Sequence, residues 1–136
     1  MSAAMTRTAT IAGACALVLA AGAAGAAPPA HADDRGDARV AGRCSRGAAA
    51  ELRLQSRDGA IRIELRVRRR PAGEAWRVVL VHERRVVSRK RVRTSGSSGG
   101  FRVRRSVRDF DGPDEVTARA TGPRGLTCVA AATLSG

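Results

Sequence analysis

Residues 62–70 read RIELRVRRR, five arginines in nine positions. Guanidinium groups at this density attract phosphate- and carboxylate-bearing partners. The spacing also argues for a plainer role. Ile61, Ile63, Leu65 and Val67 alternate with Arg62, Glu64, Arg66 and Arg68, the period of a strand with one buried and one wet face. A wet face accounts for where these arginines stand. It does not account for how often the pattern recurs: by alternation Arg53, Arg62, Arg66, Arg68, Arg89, Arg91, Arg93, Arg102 and Arg104 all point outward, from four separate segments. If those segments are neighbours in one sheet, the arginines merge into a basic face that holds anionic polymers by non-specific, salt-sensitive attraction. The expected partner is an anionic cell-envelope polymer or a lipid surface. No aromatic residues interleave with the arginines, so base stacking is not expected, and neither is sequence-specific nucleic-acid binding.

Other chemistry has little to work with. His82 is the one histidine beyond residue 32, and there is no tyrosine in the chain. Glu83 follows His82 directly and so points to the opposite strand face. His82, near a strand end, reads as a turn or rim residue. No Gly-x-Ser-x-Gly elbow or paired-carboxylate motif is present. The run SGSSGG at 95–100 is glycine-rich, but no helix follows it to supply a phosphate-binding dipole. A zinc site needs about four ligands, more than the remaining Cys and His provide. The expectation is a non-enzymatic protein without metal or cofactor. Arg35-Gly36-Asp37 matches an adhesive tripeptide, but a chain this rich in those residues produces it by chance.

The elements that carry these residues begin after an export signal. Arg7 precedes a run without charge from Thr8 to Ala32, which ends in Pro28-Pro29 and a small-residue site Ala30-His31-Ala32. That layout is a secretory signal peptide cleaved after Ala32, which places the protein outside the cell without a transmembrane segment in its mature form. Removing residues 1–32 removes one base and no acid, so the net charge falls from +13 to +12. Cys15 leaves with the signal, and Cys44 and Cys128 remain. An oxidising compartment favours a disulfide between them; two buried free thiols are the alternative. Such a bridge closes a loop of about 85 residues, worth roughly 4 kcal/mol by chain entropy. That matters in a chain whose aromatic residues are one Trp and two Phe.

Residues 33–43 are polar and aperiodic and read as a flexible leader. From Cys44 to Gly136 the pattern is one β-domain. Strands are expected over 50–56, 60–70, 75–82, 86–93, 101–108, 116–121 and 126–134. Turns fall at Asp58-Gly59, Pro71-Ala72-Gly73, 82–85, the 94–100 loop, 111–114 and 122–125. The third strand carries Val79 and Val81 opposite Trp76, Val78 and Leu80, as a central strand or one that borders a partner does. Arg105 interrupts the alternation of Phe101, Val103 and Val107, which a bulge or the mouth of a sandwich could accommodate. The fold class is all-β, a seven-stranded antiparallel immunoglobulin-like sandwich, with a small barrel as the alternative. In that arrangement the first, second, fourth and fifth strands are neighbours. A second functional expectation is a protein-interaction module that uses Val79, Val81 and Val87 as an apolar patch on the third and fourth strands. Nothing in the sequence sets the oligomeric state.

Several pieces resemble a known group. They are the early Cys44, Asp58-Gly59 followed by R-I-E-L-x-V, Gly73-x-x-Trp76-Arg77-Val78 with His82 six residues after the Trp, FRVRRSV, Ala118-Arg119-Ala120-Thr121 and the closing Cys128. Across residues 33–136 the chain is similar to a group of small secreted actinobacterial proteins of uncharacterised function. The resemblance implies an immunoglobulin-like sandwich with one disulfide, and no activity. Relatives carry a glycine-containing turn after the histidine, where this chain has Glu83-Arg84, so a tight type I′ turn is not expected there.

Overall fold

The computed structural model describes residues 32–33, 36–97 and 99–136. Residues 1–31, which hold all but the last residue of the expected signal peptide, lie outside them. The described chain is all-β: β1 (Ala32–Asp33), β2 (Asp37–Ala41), β3 (Arg43–Cys44), β4 (Ala49–Arg57), β5 (Ala60–Arg68), β6 (Ala75–His82), β7 (Arg85–Arg93), β8 (Gly100–Arg108), β9 (Asp114–Thr121) and β10 (Thr127–Leu134), with one 3₁₀ turn at Pro123–Gly125. They form two antiparallel five-stranded sheets, ordered β1-β2-β4-β5-β8 and β3-β10-β9-β6-β7.

The alternation read over 61–68 is the packing of β5. Ile61, Ile63, Leu65 and Val67 are buried, and Arg62, Arg66 and Arg68 are exposed. Leu52 and Leu54 of β4, Trp76, Val78 and Leu80 of β6, and Val116, Ala118 and Ala120 of β9 complete the core. Trp76 meets Phe101 across the sandwich, ring centroids 5.6 Å apart. Gly122 must be glycine, because a Cβ there would stand 2.5 Å from the Trp76 ring. β6 is central between β9 and β7, one of the two places expected from its two-faced apolar pattern.

Four expectations change. The strand count exceeds seven because short strands flank the main ones. The segment read as a flexible leader contributes β2, which pairs with β4 along Asp37–Ala41; Ala38 is buried and Val40 packs against the core, too few apolar residues to show a period. Cleavage after Ala32 would divide β1. The fourth expected strand, now β7, pairs with β6 at the edge of the second sheet instead of joining β4, β5 and β8. Finally, Glu83 and Arg84 both take left-handed backbone, at φ 46° and 64°, giving the tight turn without glycine. Left-handed backbone costs a non-glycine residue roughly 1–2 kcal/mol. The turn is held by Glu83 N–H on the Glu115 carbonyl and by the Glu83 carboxylate on the Glu115 N–H, at 3.1 and 2.6 Å.

Cys44 and Cys128 form a disulfide. The two residues are directly opposed in the β3–β10 ladder, so the bridge staples neighbouring strands of one sheet and does not cross the sandwich.

Candidate functional site

Strand pairing sets the rows of side chains on each outer face. On the first sheet one row runs Arg39, Arg53, Glu64, Arg104, and the next runs Ala41, Glu51, Arg66, Arg102. Two like-charged pairs are directly opposed, Arg39 with Arg53 and Arg66 with Arg102. Acids on the same face relieve both. Arg39 lies 3.7 Å from Glu51, and Arg53 lies 3.5 Å from Asp37. Glu64 accepts from Arg104 at 2.7 Å and faces Arg102 at 3.3 Å. The Arg104 hydrogen bond, with the charges of Arg102 and Arg53, holds the Glu64 carboxyl below its ordinary range. Arg62, Arg66 and Arg68 form no ion pair among the described residues, but they stand in single file on β5 with Glu64 between the first two.

The second sheet has a different outer face. One row runs Arg91, Arg77, Thr121, Thr127, and the next runs Arg89, Val79, Arg119, Val129, Arg43. These five arginines are exposed, and among the described residues none has an ion pair. Arg77 and Arg91 are directly opposed, a destabilising arrangement for like charges, and no acid stands in either row. Among the described strand residues the acid of this face is Glu115, opposite Thr133 at the far end. Arg93, opposite Ala75, donates to the Gly73 carbonyl at 2.8 Å.

The nine expected arginines therefore do not share one face. Arg53, Arg62, Arg66, Arg68, Arg102 and Arg104 lie on the first sheet, and Arg89, Arg91 and Arg93 lie on the second. Arg77, Arg119 and Arg43, missed in the sequence reading, complete the second group. Arg77 and Arg119 alternate with buried neighbours and so were readable as outward; their company on one sheet was not. Of the expected apolar patch, Val79 and Val81 are half-buried on the outer face, Val79 between Arg89 and Arg119 and Val81 between Val86 and Thr117. Val87 packs against the core, because a bulge between Leu80 and Val81 shifts the β7 register.

His82 is not a rim residue. It is buried, and its Nε2 lies 2.5 Å from Asp114 Oδ1. Phe110 stacks on the imidazole at 5.5 Å between centroids. Burial raises the Asp114 carboxyl above its ordinary value, and the neighbouring Asp109 pushes the same way against the hydrogen bond with His82. Ser56 in turn donates to Asp109. Asp114 was legible as an inward position, two residues before Val116, but Gly112-Pro113 made it read as a turn. His82, Glu83 and Asp114 bring potential metal-ligand atoms within 4.8 Å of one another. The His82 and Asp114 atoms are bonded to each other, however, and the Glu83 carboxylate is held by Glu115 N–H. At the opposite end, Glu74 takes a bidentate pair from Arg69 at 2.8 and 3.0 Å and one bond from Arg124 at 3.2 Å. These bonds, Arg69 first, lower its carboxyl below the ordinary range. Among the described residues no helix is long and apolar enough to cross a membrane.

No family model, curated protein or solved structure matches this chain.

Proposed function

We propose that the chain is an exported, non-enzymatic domain of the immunoglobulin-like class that binds an anionic envelope or extracellular polymer through the outer face of its second sheet. The observation that carries this reading is Arg77 opposite Arg91 with no acid within ion-pair reach among the described residues. Repulsion left unrelieved in the free protein is relieved by a bound anion, and each phosphate neutralised releases condensed counterions. The face is a sheet with no element shaped for a groove, so it takes a charged backbone of any sequence. The non-enzymatic part rests on His82, whose imidazole is committed to Asp114 and covered by Phe110. The apolar-patch alternative is weaker, since Val87 belongs to the core and charged neighbours flank Val79.

Fluorescence anisotropy with a random-sequence DNA duplex as a probe polyanion tests the reading. Affinity should fall with salt at a log–log slope of about −3, the release from about three phosphates. No binding at about 20 mM salt, where screening is weak, would falsify it.

A further inference from the structure

The two sheets end on one flank in β7 and β8, joined at the start of β8 by a bridge between Ser95 and Gly100. Between these edges lies an open slot of about 810 Å³, within the range of small-molecule sites. Its floor includes Val87 and Val107, which pack against the core. Its rim holds Val86 and Phe110, 44% and 51% exposed, the two exposed large apolar side chains among the described residues. Both line the same slot, and singly scattered apolar residues would not coincide in this way.

Arg105 supplies the polar group. It pairs in register with buried Ile63, so it faces the inside of the sandwich at a position where a core residue would stand. The flank is open there, leaving Arg105 exposed and without an ion pair among the described residues. Lys90, in register with buried Val78, does the same from β7. Inward-pointing cations blunt sheet edges against aggregation, which explains a charge at each edge. It does not explain two large apolar side chains kept in water beside them. The other charged groups of the slot are Arg85, Arg108, Glu83 and Asp111. The Glu83 carboxylate already accepts from Glu115 N–H, and Asp114 is paired with His82 behind Phe110.

We propose that this slot binds a small amphipathic carboxylate, its carboxylate on Arg105 and its apolar body against Val86, Val87, Val107 and Phe110. The site is distinct from the basic face and does not depend on it. The test is a ¹H–¹⁵N NMR titration of the purified protein with decanoate below its micellar threshold, and with decanol as the uncharged counterpart. Saturable shifts should be confined to residues 85–90 and 105–110. Decanol should bind about tenfold more weakly, the loss expected for one charge-assisted bond. R105E and V86K change exposed positions that the fold does not need, and each should weaken decanoate binding by at least about tenfold. R77A/R89A/R91A should bind decanoate within about twofold of the parent, even if that variant shows the polymer reading to be wrong. Absence of saturation by about 1 mM, equal binding to R105E, or a decanoate signal lost in the triple variant and kept in R105E would each overturn the slot.

Discussion

The two outer faces of the sandwich are built by one rule and end with different electrostatics. On both, alternation sends arginines outward, and ladder pairing then brings like charges into direct opposition. On the first sheet Glu51, Glu64 and Asp37 stand within ion-pair reach of the opposed arginines. An approaching phosphate meets carboxylates at the centre of that face. On the second sheet Arg77 faces Arg91, and in the next row Arg89, Arg119 and Arg43 alternate with Val79 and Val129. The faces differ less in how many arginines they carry than in where the acids stand. Counting basic residues is thus a poor guide to an anion site; the informative quantity is the charge left uncompensated at a given spot.

The largest expected effect separates the faces directly. At about 50 mM salt one phosphate contact is worth about tenfold in affinity, so R77A/R89A/R91A should weaken DNA binding by at least about 100-fold. R53A/R102A/R104A, which removes arginines already paired with acids, should cost about threefold or less. Equal losses in anisotropy titrations would mean that only total charge matters, and the comparison would fail. A smaller effect should follow from giving the second face what the first already has. Thr121 is opposite Arg77, so Thr121→Glu places an acid beside the uncompensated pair. Affinity should drop about tenfold while denaturant-measured stability rises by roughly 0.2–1 kcal/mol, the range for opposite charges across strands. A gain in affinity would contradict the compensation argument.

The smallest effect concerns pH. Glu64 has its folded-state pKa lowered, chiefly by Arg104. It therefore contributes stability above its unfolded value near 4.5, and that contribution is lost as pH falls through the lower folded value. Glu64→Gln should be slightly less stable than the parent at neutral pH, by no more than about 1 kcal/mol for so exposed a pair, and the difference should shrink as the pH falls below the unfolded value. Urea denaturation across that range checks the sign; a gap that widened in acid would refute it.

Much of the fold was legible because it is local. Asp58-Gly59 forms its hairpin with both residues at positive φ, 54° and 70°. The alternation of 61–68 became β5 residue for residue, and Trp76 to His82 became a central strand. Other parts had too little local signal. Asp37–Ala41 offers only Ala38 and Val40 as apolar contacts, so β2 is stabilised by β4 and not by its own pattern. Val87 lost its alternation phase to a bulge that no turn residue announces. His82 finds Asp114 across 32 positions of sequence, and only the β6–β9 pairing, which aligns His82 with Val116, brings them together.

By itself, then, the sequence determined that this is a β-protein, which side chains point outward along most strands, where the main hairpins turn, and that two cysteines were free to pair. Each follows from interactions within a strand or across a turn, which a period of two and the turn residues encode directly. The tertiary structure alone decided which strands are neighbours. It moved β7 to the second sheet, split the arginines between two faces, set acids beside the arginines of one face and away from those of the other, and opened a slot between β7 and β8. Those outcomes depend on how two sheets share one core. Any strand with an apolar side can occupy several places in such a core, and its own alternation is the same in each.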